Sequence, residues 1–237
     1  MTLTDVKSID TITFDCYGTL VDWEKGILDF VQDKVALSNA DVTGQEILRA
    51  YAAAEKQFEG RAYTPYKSVL ALTYSTMLEE LGFPPSDNDA ALFSESVGDW
   101  EPFPDTVEAL HSLSKTFRLG ILSNIDDDLF ERSANKLKVD FTFVVTAQQV
   151  RSYKPNLNHF RQAISEHSCH APNWLHVAQS KFHDIAPCNE LGIQCVWVER
   201  PSINGSEGVA PTSHAKPSWH VQSMREFANA ILPAKLA

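Results

Sequence analysis

The stretch "TITFDCYGTLVDWEKG" (residues 11–26) decides how this chain is read. Its first four residues are all β-branched or aromatic, the side chains that suit a pleated strand. Asp15 follows where that strand should end, a Gly18-Thr19 turn comes next, and Tyr17 stands two residues beyond the carboxylate. A lone acid at a strand end is ordinarily a turn or helix cap. It takes on a second meaning when other reactive side chains recur at the ends of other strands.

Four further runs read as strands: "FRLGILS" (117–123), "FTFVVT" (141–146), "WLHVAQ" (174–179) and "IQCVWVE" (193–199). Each is nearly all apolar within, the pattern of strands buried on both faces of a parallel sheet. Helical patterns at 104–115, 126–137, 156–168 and 184–191 alternate with them. The alternation predicts an α/β chain with a doubly wound parallel sheet, whose ligands sit at the carboxyl ends of the strands. Ser123-Asn124, Lys154 and Asp184 all fall at or just after such ends. With Asp15 they make a nucleophile-and-activator set of two carboxylates, a lysine, and hydroxyl and amide donors.

Residues 21–99 contain no convincing strand. Ile27, Phe30, Val31 and Val35 share one helical face, and Ile47, Leu48 and Tyr51 another. A third helix is expected over 66–81, stopped by Gly82 and Pro84-Pro85, and a fourth in "SDNDAALFSESVG". This helical insert follows the first strand, where a lid over the strand ends would sit. "PSINGSEGVAPTSHAKPSW" (201–219) reads as a surface loop.

Of 237 residues, 43% are hydrophobic and 22% charged, enough to bury a sizeable core in one large domain or a core with an insert. A net charge of −11 and a pI near 5.1 argue against nucleic acid or an anionic membrane as partner. A small anionic substrate stays open if a few cations focus the field locally. Cys16, Cys169, Cys188 and Cys195 form no CxxC pair, which favours a reducing compartment over a disulfide framework. The polar start "MTLTDVKSID" has no signal-peptide core, and no stretch approaches about 18 apolar residues. The cytoplasm is the expected location, and a homodimer is compatible with the sequence.

In order, "FDCYGTL" (14–20), "LSN" (122–124), "YKP" (153–155) and "HD" (183–184) resemble the motifs of the haloacid dehalogenase superfamily. The resemblance implies a Rossmann-like core over 1–20 and 100–237, with an all-α cap over 21–99. It implies Asp15 as covalent nucleophile, and Ser123 and Asn124 as ligands for the anionic group of the substrate. Lys154 would hold Asp15 ionised and in place, and Thr19 with the backbone at Gly18 would steady the carboxylate. Asp184 would assist hydrolysis of the intermediate. In the phosphatase branches it would instead hold Mg²⁺ together with Asp15.

Phosphatases of the superfamily usually read Asp-x-Asp in the first motif, the second acid protonating a departing alkoxide. Such help is worth roughly 10²–10⁴-fold. Here that place is Tyr17, and a halide leaves without a proton, so "Asp-Cys-Tyr" resembles the dehalogenase branch. The implied activity is hydrolytic dehalogenation of small 2-haloalkanoic acids, without cofactor or metal. Cys16, Tyr17, Gln179, Lys181 and His183 are the expected substrate contacts.

Two departures stand beside this resemblance. The cap arginine of 2-haloacid dehalogenases has no counterpart after Tyr51, where Ala52 follows; Arg49, Lys56 and Arg61 are the available substitutes. The fourth motif, Ser-x-Asn-x-x-Asp in those enzymes, is Gln179-Ser180-Lys181-Phe182-His183-Asp184 here. A phosphomonoesterase using Mg²⁺, with His183, Asp22 or Glu24 as its acid, is the alternative; a non-catalytic metabolite-binding member is a third. Several motifs read more simply. Asp126-Asp127-Asp128 suit a helix N-terminus better than a metal, and "HSCH" (167–170) matches no common zinc site. Tyr51, Phe58, Tyr63, Tyr66 and Tyr74 read as cap core.

Overall fold

In the computed structural model, which describes residues 6–36, 42–59, 62–203 and 212–236, β1 (Thr11–Phe14) lies near the middle of a six-stranded sheet. β2 (Arg118–Ser123) and β3 (Phe143–Thr146) continue the sheet on one side of β1. β4 (Trp174–Ala178), β5 (Gln194–Val198) and β6 (Trp219–Val221) continue it on the other. All pairings are parallel and the order is β3-β2-β1-β4-β5-β6. The strand order therefore reverses at β1, which opens a crevice above its carboxyl end.

The core follows from the two-residue period of each strand. Along β5, Cys195 and Trp197 join one apolar cluster while Val196 and Val198 join the other. Four cap helices follow β1: α1 (Trp23–Ala36), α2 (Gly44–Glu59), α3 (Tyr66–Glu80) and α4 (Asp87–Ser96). The core helices are α5 (Thr106–Leu113), α6 (Asp127–Leu137), α7 (Ala147–Val150), α8 (Asn158–His167), α9 (Ala186–Leu191) and α10 (Met224–Leu236). Leu110 of α5, Leu129 of α6 and Phe227 of α10 pack with Ile12, Phe14 and Ile121 on one face of the sheet. Phe160 of α8 and Cys188 of α9 pack with Leu122, Val145 and Trp174 on the other.

All five expected strands are present, within two residues of the sequence reading. β6 and α10 are additions. β6 is only three residues long, at the end of a segment rich in Gly, Pro and Ser, so it shows no readable period. Its place at the edge is set by pairing: Ser218 N donates to Cys195 O, and Glu199 N to Val221 O.

The cap coheres through aromatic side chains. Phe93 stacks on Tyr74 with ring centroids 5.1 Å apart, and both meet Phe30 edge to face. Tyr51 and Tyr74 thus belong to the cap core. α2 opens on a reciprocal cap in which Thr43 N donates to Glu46 Oε2 (2.8 Å) and Glu46 N to Thr43 Oγ1 (3.3 Å).

Asp126 stands at the N-terminus of α6, as its acidic run suggests, yet its carboxylate serves another helix. It accepts from Tyr66 N and Lys67 N, each at 2.9 Å, and so caps α3 across the cap–core boundary. Two further features are structural: His167 of "HSCH" stacks on Phe143 at 4.3 Å, and all four cysteines are free and buried. Among the described residues no helix is long and apolar enough to cross a membrane.

Candidate active site

Asp15 leaves β1 with its backbone still paired, Asp15 N donating to Val177 O at 3.1 Å. The chain then turns sharply: Leu20 N and Val21 N both donate to Cys16 O, and Gly18 holds a φ of +89°. That left-handed conformation favours glycine. The turn brings Thr19 back over its own strand, so that Thr19 Oγ1 donates to Asp15 Oδ2 at 2.7 Å. Gln179 N, at the end of β4, donates to Thr19 Oγ1 at 2.9 Å and fixes the direction of that bond.

The other carboxylate oxygen faces Lys154, which is 2% exposed. Its Nζ donates to Asp15 Oδ1 at 2.9 Å, to Asp184 Oδ1 at 2.7 Å and to Leu122 O at 2.8 Å. All three ammonium protons are therefore used. Asn124 grips the same lysine by its peptide, accepting from Lys154 N at 2.7 Å and donating to Lys154 O at 3.2 Å. Asn124 therefore positions Lys154 as well as lining the cavity above Asp15, and the second proton of its Nδ2 is not used by these two bonds. Ser123 Oγ and Asp184 Oδ2, by contrast, are buried with no hydrogen-bond partner among the described residues. Buried polar atoms are seldom left so unless something else is to reach them.

One cation thus serves two carboxylates. Burial pushes the Asp15 carboxyl up; Lys154 opposes this, and the neighbouring Asp184 charge adds to the rise. At Asp184 burial also pushes upward, but Lys154 and His176 overcome it and hold the group at about 2. Burial alone would lower Lys154; the two carboxylates reverse the effect and raise it. His159, fully buried behind the site with Nε2 3.2 Å from Ser123 O, is driven down to about 3, first by burial and then by the Lys154 charge.

A pH dependence follows from His159. A histidine depressed in the folded state takes up protons preferentially when unfolded, so stability is highest above about pH 6.5 and declines as pH falls toward 3. Each pH unit within that window costs up to about 1.4 kcal/mol. Urea midpoints measured from pH 7 to pH 4.5 should fall more steeply for wild type than for His159→Gln; parallel curves refute the assignment.

A cavity of about 50 Å³ opens above Asp15, between the sheet edge and the cap. It fits a ligand of a few heavy atoms. Core residues Asp15, Tyr17, Ser123, Asn124, Lys154, Gln179, Ser180, His183 and Asp184 line it with Trp23, Glu55 and Tyr66 from the cap side. Residues far apart in sequence, at positions 15, 123, 154 and 184, have been gathered at one set of strand ends.

Residues 12–198 match the family model described as haloacid dehalogenase-like hydrolase. The chain belongs to the haloacid dehalogenase-like hydrolases. It is 24% identical to (S)-2-haloacid dehalogenase of Pseudomonas putida, over 94% of this chain and 97% of that protein. It is 21% identical to haloacetate dehalogenase H-2 of Moraxella sp. (strain B), over 82% and 88%. Its fold is that of L-2-haloacid dehalogenase from Xanthobacter autotrophicus, at a TM-score of 0.80 and 20% identity, covering 94% of this chain and 98% of that one.

This haloacid dehalogenase-like hydrolase departs from several sequence expectations at its substrate side. Tyr17, Gln179 and His183 line the cavity as expected. Cys16 does not: it is fully buried in the main apolar cluster, because the turn after β1 sends its side chain inward. Lys181 does not line it either, lying instead over the Trp197 ring with Nζ 3.7 Å from the centroid. The acids considered for leaving-group protonation also point elsewhere. Asp22 caps the start of α1 by accepting from Lys25 N, and Glu24 accepts from Ser202 Oγ. Trp23, between them, reaches the cavity.

Two of the three candidate arginine substitutes stand on α2, away from the cavity. Arg49 and Lys56 are exposed, and Arg61 lies outside the described residues. The cavity-facing side chain of α2 is Glu55, 8% exposed, whose Oε1 accepts from Tyr51 Oη and Tyr66 Oη, each at 2.8 Å. Sequence reading overlooked it, although a signal was there. Glu55 falls one helical turn after Tyr51, on the apolar stripe that also carries Ile47, Leu48 and Ala54. A charge on such a stripe is rarely idle.

Proposed function

We propose that this protein is a hydrolase working through a covalent Asp15 ester, and that its reaction is hydrolytic dehalogenation of small 2-haloalkanoic acids. The observation that carries this reading is the nucleophile's setting. Asp15 is held on both oxygens, by Lys154 and Thr19, on the floor of a cavity whose position two residues on offers a phenol rather than an acid. The Tyr17 hydroxyl is engaged with Ser133 Oγ at 2.8 Å, and burial pushes its acidity further out of reach. A leaving group that needs no proton suits this arrangement.

In the first step an oxygen of Asp15 attacks the carbon bearing the halogen and forms a C–O bond as the C–X bond breaks. Halide departs with the bonding pair. The substrate carboxylate is received by Ser123 Oγ, the buried hydroxyl left without a partner among the described residues. In the second step water attacks the ester carbonyl of Asp15 with Asp184 as base, and the 2-hydroxy acid is released. Lys154 Nζ occupies the space between the two carboxylates and supplies the positive charge there. In this reading lysine supplies the charge compensation at the two carboxylates, and the dependence of activity on Mg²⁺ tests it.

Glu55 favours a second reading. A carboxyl group facing Asp15 from the cap could protonate an alkoxide, as a phosphomonoesterase requires, and His183 lines the same space. The two are separated by incubating the protein with 2-chloropropionate or bromoacetate and, in parallel, with an aryl phosphate with and without Mg²⁺. Metal-independent halide release supports dehalogenation; Mg²⁺-stimulated phosphate release with inert haloacids replaces it.

Glu55→Gln sharpens the choice, because the amide oxygen still accepts from both tyrosines while the charge is gone. A halide departs without a proton, so kcat on a haloalkanoate should stay close to the wild-type value. An acid role for Glu55 predicts the reverse pattern, a collapse of kcat on the phosphate ester.

A further inference from the structure

Behind Asp184 lies a chain of buried polar groups that the two steps above do not use. Trp174 Nε1 donates to Thr13 Oγ1 at 2.8 Å. Thr13 Oγ1 lies 2.8 Å from His176 Nδ1, and His176 Nε2 lies 3.0 Å from Asp184 Oδ1. All four side chains are essentially buried, at 1% exposure or less. β1 and β4 run in register with Thr13 opposite His176, which places the three partners on the α8 face beside Phe160.

The direction of the chain is set by what each group can do. An indole N–H only donates, so Thr13 accepts from Trp174. Among the described residues the Thr13 hydroxyl proton has no acceptor other than His176 Nδ1. Nδ1 is then the accepting nitrogen, Nε2 carries the proton, and the bond runs from Nε2–H to Asp184 Oδ1. That same oxygen also receives Lys154 Nζ, whereas Oδ2 is buried and receives nothing among the described residues. Two donors thus saturate one oxygen and leave the lone pairs of the other available.

We infer that His176, oriented by Thr13 and Trp174, is a positioning residue for the second half-reaction: it fixes the Asp184 carboxylate so that Oδ2 takes the proton from the hydrolytic water. The inference rests on the covalent-ester reading given above. The water oxygen bonds to Cγ of Asp15 as its proton passes to Asp184 Oδ2. Collapse then breaks the bond between Cγ and the substrate oxygen, which leaves as the alcohol with the proton held by Asp184. The remaining water proton departs to solvent as the Asp15 carboxylate is regenerated. His176 takes no part in the first step, in which Asp15 displaces the halide with Lys154 and Ser123 in attendance.

This separation gives a signature that a merely structural role does not. When only ester hydrolysis is slowed, kcat and KM fall together and kcat/KM is unchanged, because kcat/KM reports steps up to the first irreversible one. His176→Phe keeps the ring and its packing on Phe160 while removing both nitrogens. With bromoacetate we expect kcat to drop about 100-fold at constant kcat/KM. A burst of one bromide per protein should appear, and alkylated Asp15 should accumulate by intact mass. Thr13→Val should move the same way, less strongly, and Thr13→Ser, which restores the hydroxyl, should recover the wild-type profile.

A parallel loss of kcat and kcat/KM without trapped ester overturns the inference. A wild-type protein that releases no halide from bromoacetate or 2-chloropropionate overturns the dehalogenase reading instead. In that event ¹⁵N NMR of the histidine rings still decides the relay: a proton on Nε2 of His176, perturbed by Asp184→Asn and by Thr13→Val, supports it. A proton on Nδ1 with Nε2 bare refutes it.

Discussion

Asp15→Asn is expected to abolish turnover, by about 10⁴-fold or more, while leaving the fold intact. The substitution keeps the shape of the side chain and, through its one accepting oxygen, the contact with Lys154; its amide nitrogen cannot accept from Thr19, and an amide oxygen is a far weaker nucleophile than a carboxylate. Intact mass spectrometry after bromoacetate should show alkylation of wild type under single-turnover conditions and none of the variant. Residual activity above about one part in a thousand, with no adduct, would remove covalent catalysis by this residue and leave direct attack by water.

Lys154→Met carries the second large effect, and it strikes stability as well as activity. The methionine roughly fills the volume of the lysine stem but leaves Asp15 and Asp184 facing each other without their shared cation. Removing one member of a buried ionic cluster costs about 3–5 kcal/mol. The pH dependence of that loss has a definite sign. In wild type Asp184 is held at about 2, so its contribution is present above the unfolded carboxylate value near 4 and is lost as pH falls from there through 2.

Without the ammonium, burial and mutual repulsion raise the carboxylates above their unfolded values, and the variant then loses stability as pH rises. The difference in unfolding free energy between wild type and Lys154→Met should therefore be smaller at pH 5 than at pH 8. A difference independent of pH contradicts the shared-cation arrangement. Activity should vanish at both values, since the carboxylate is no longer oriented on the side of Oδ1.

The core was legible because its chemistry and its periodicity coincide. "TITF", "LSN", "YKP" and "HD" each join a strand end to a reactive residue, and parallel pairing through β1 brings those ends together regardless of the sequence between them. Turn chemistry was equally readable: Gly18 is required by a positive φ, and Thr19 follows it back to Asp15. What escaped was any property set by tertiary direction. Asn124 reads as a residue of the site, but that its amide also grips the backbone of residue 154 is visible only in three dimensions. Cys16 sits beside the nucleophile in sequence and behind it in space. Glu55 was hidden because the expected residue at that surface was an arginine. The carboxylate found there is recognisable only once α2 is seen to turn its Tyr51 stripe toward the cavity.

The bond pair at Asp126 has a mechanical consequence. Its carboxylate fastens the first turn of α3, and with it Tyr66, to the loop that follows β2. A hinge swinging all four helices away from the sheet would have to strip two charge-assisted amide contacts, about 1.5–3 kcal/mol apiece. Lifting α3 off the core therefore carries a fixed electrostatic toll at a point remote from the nucleophile itself.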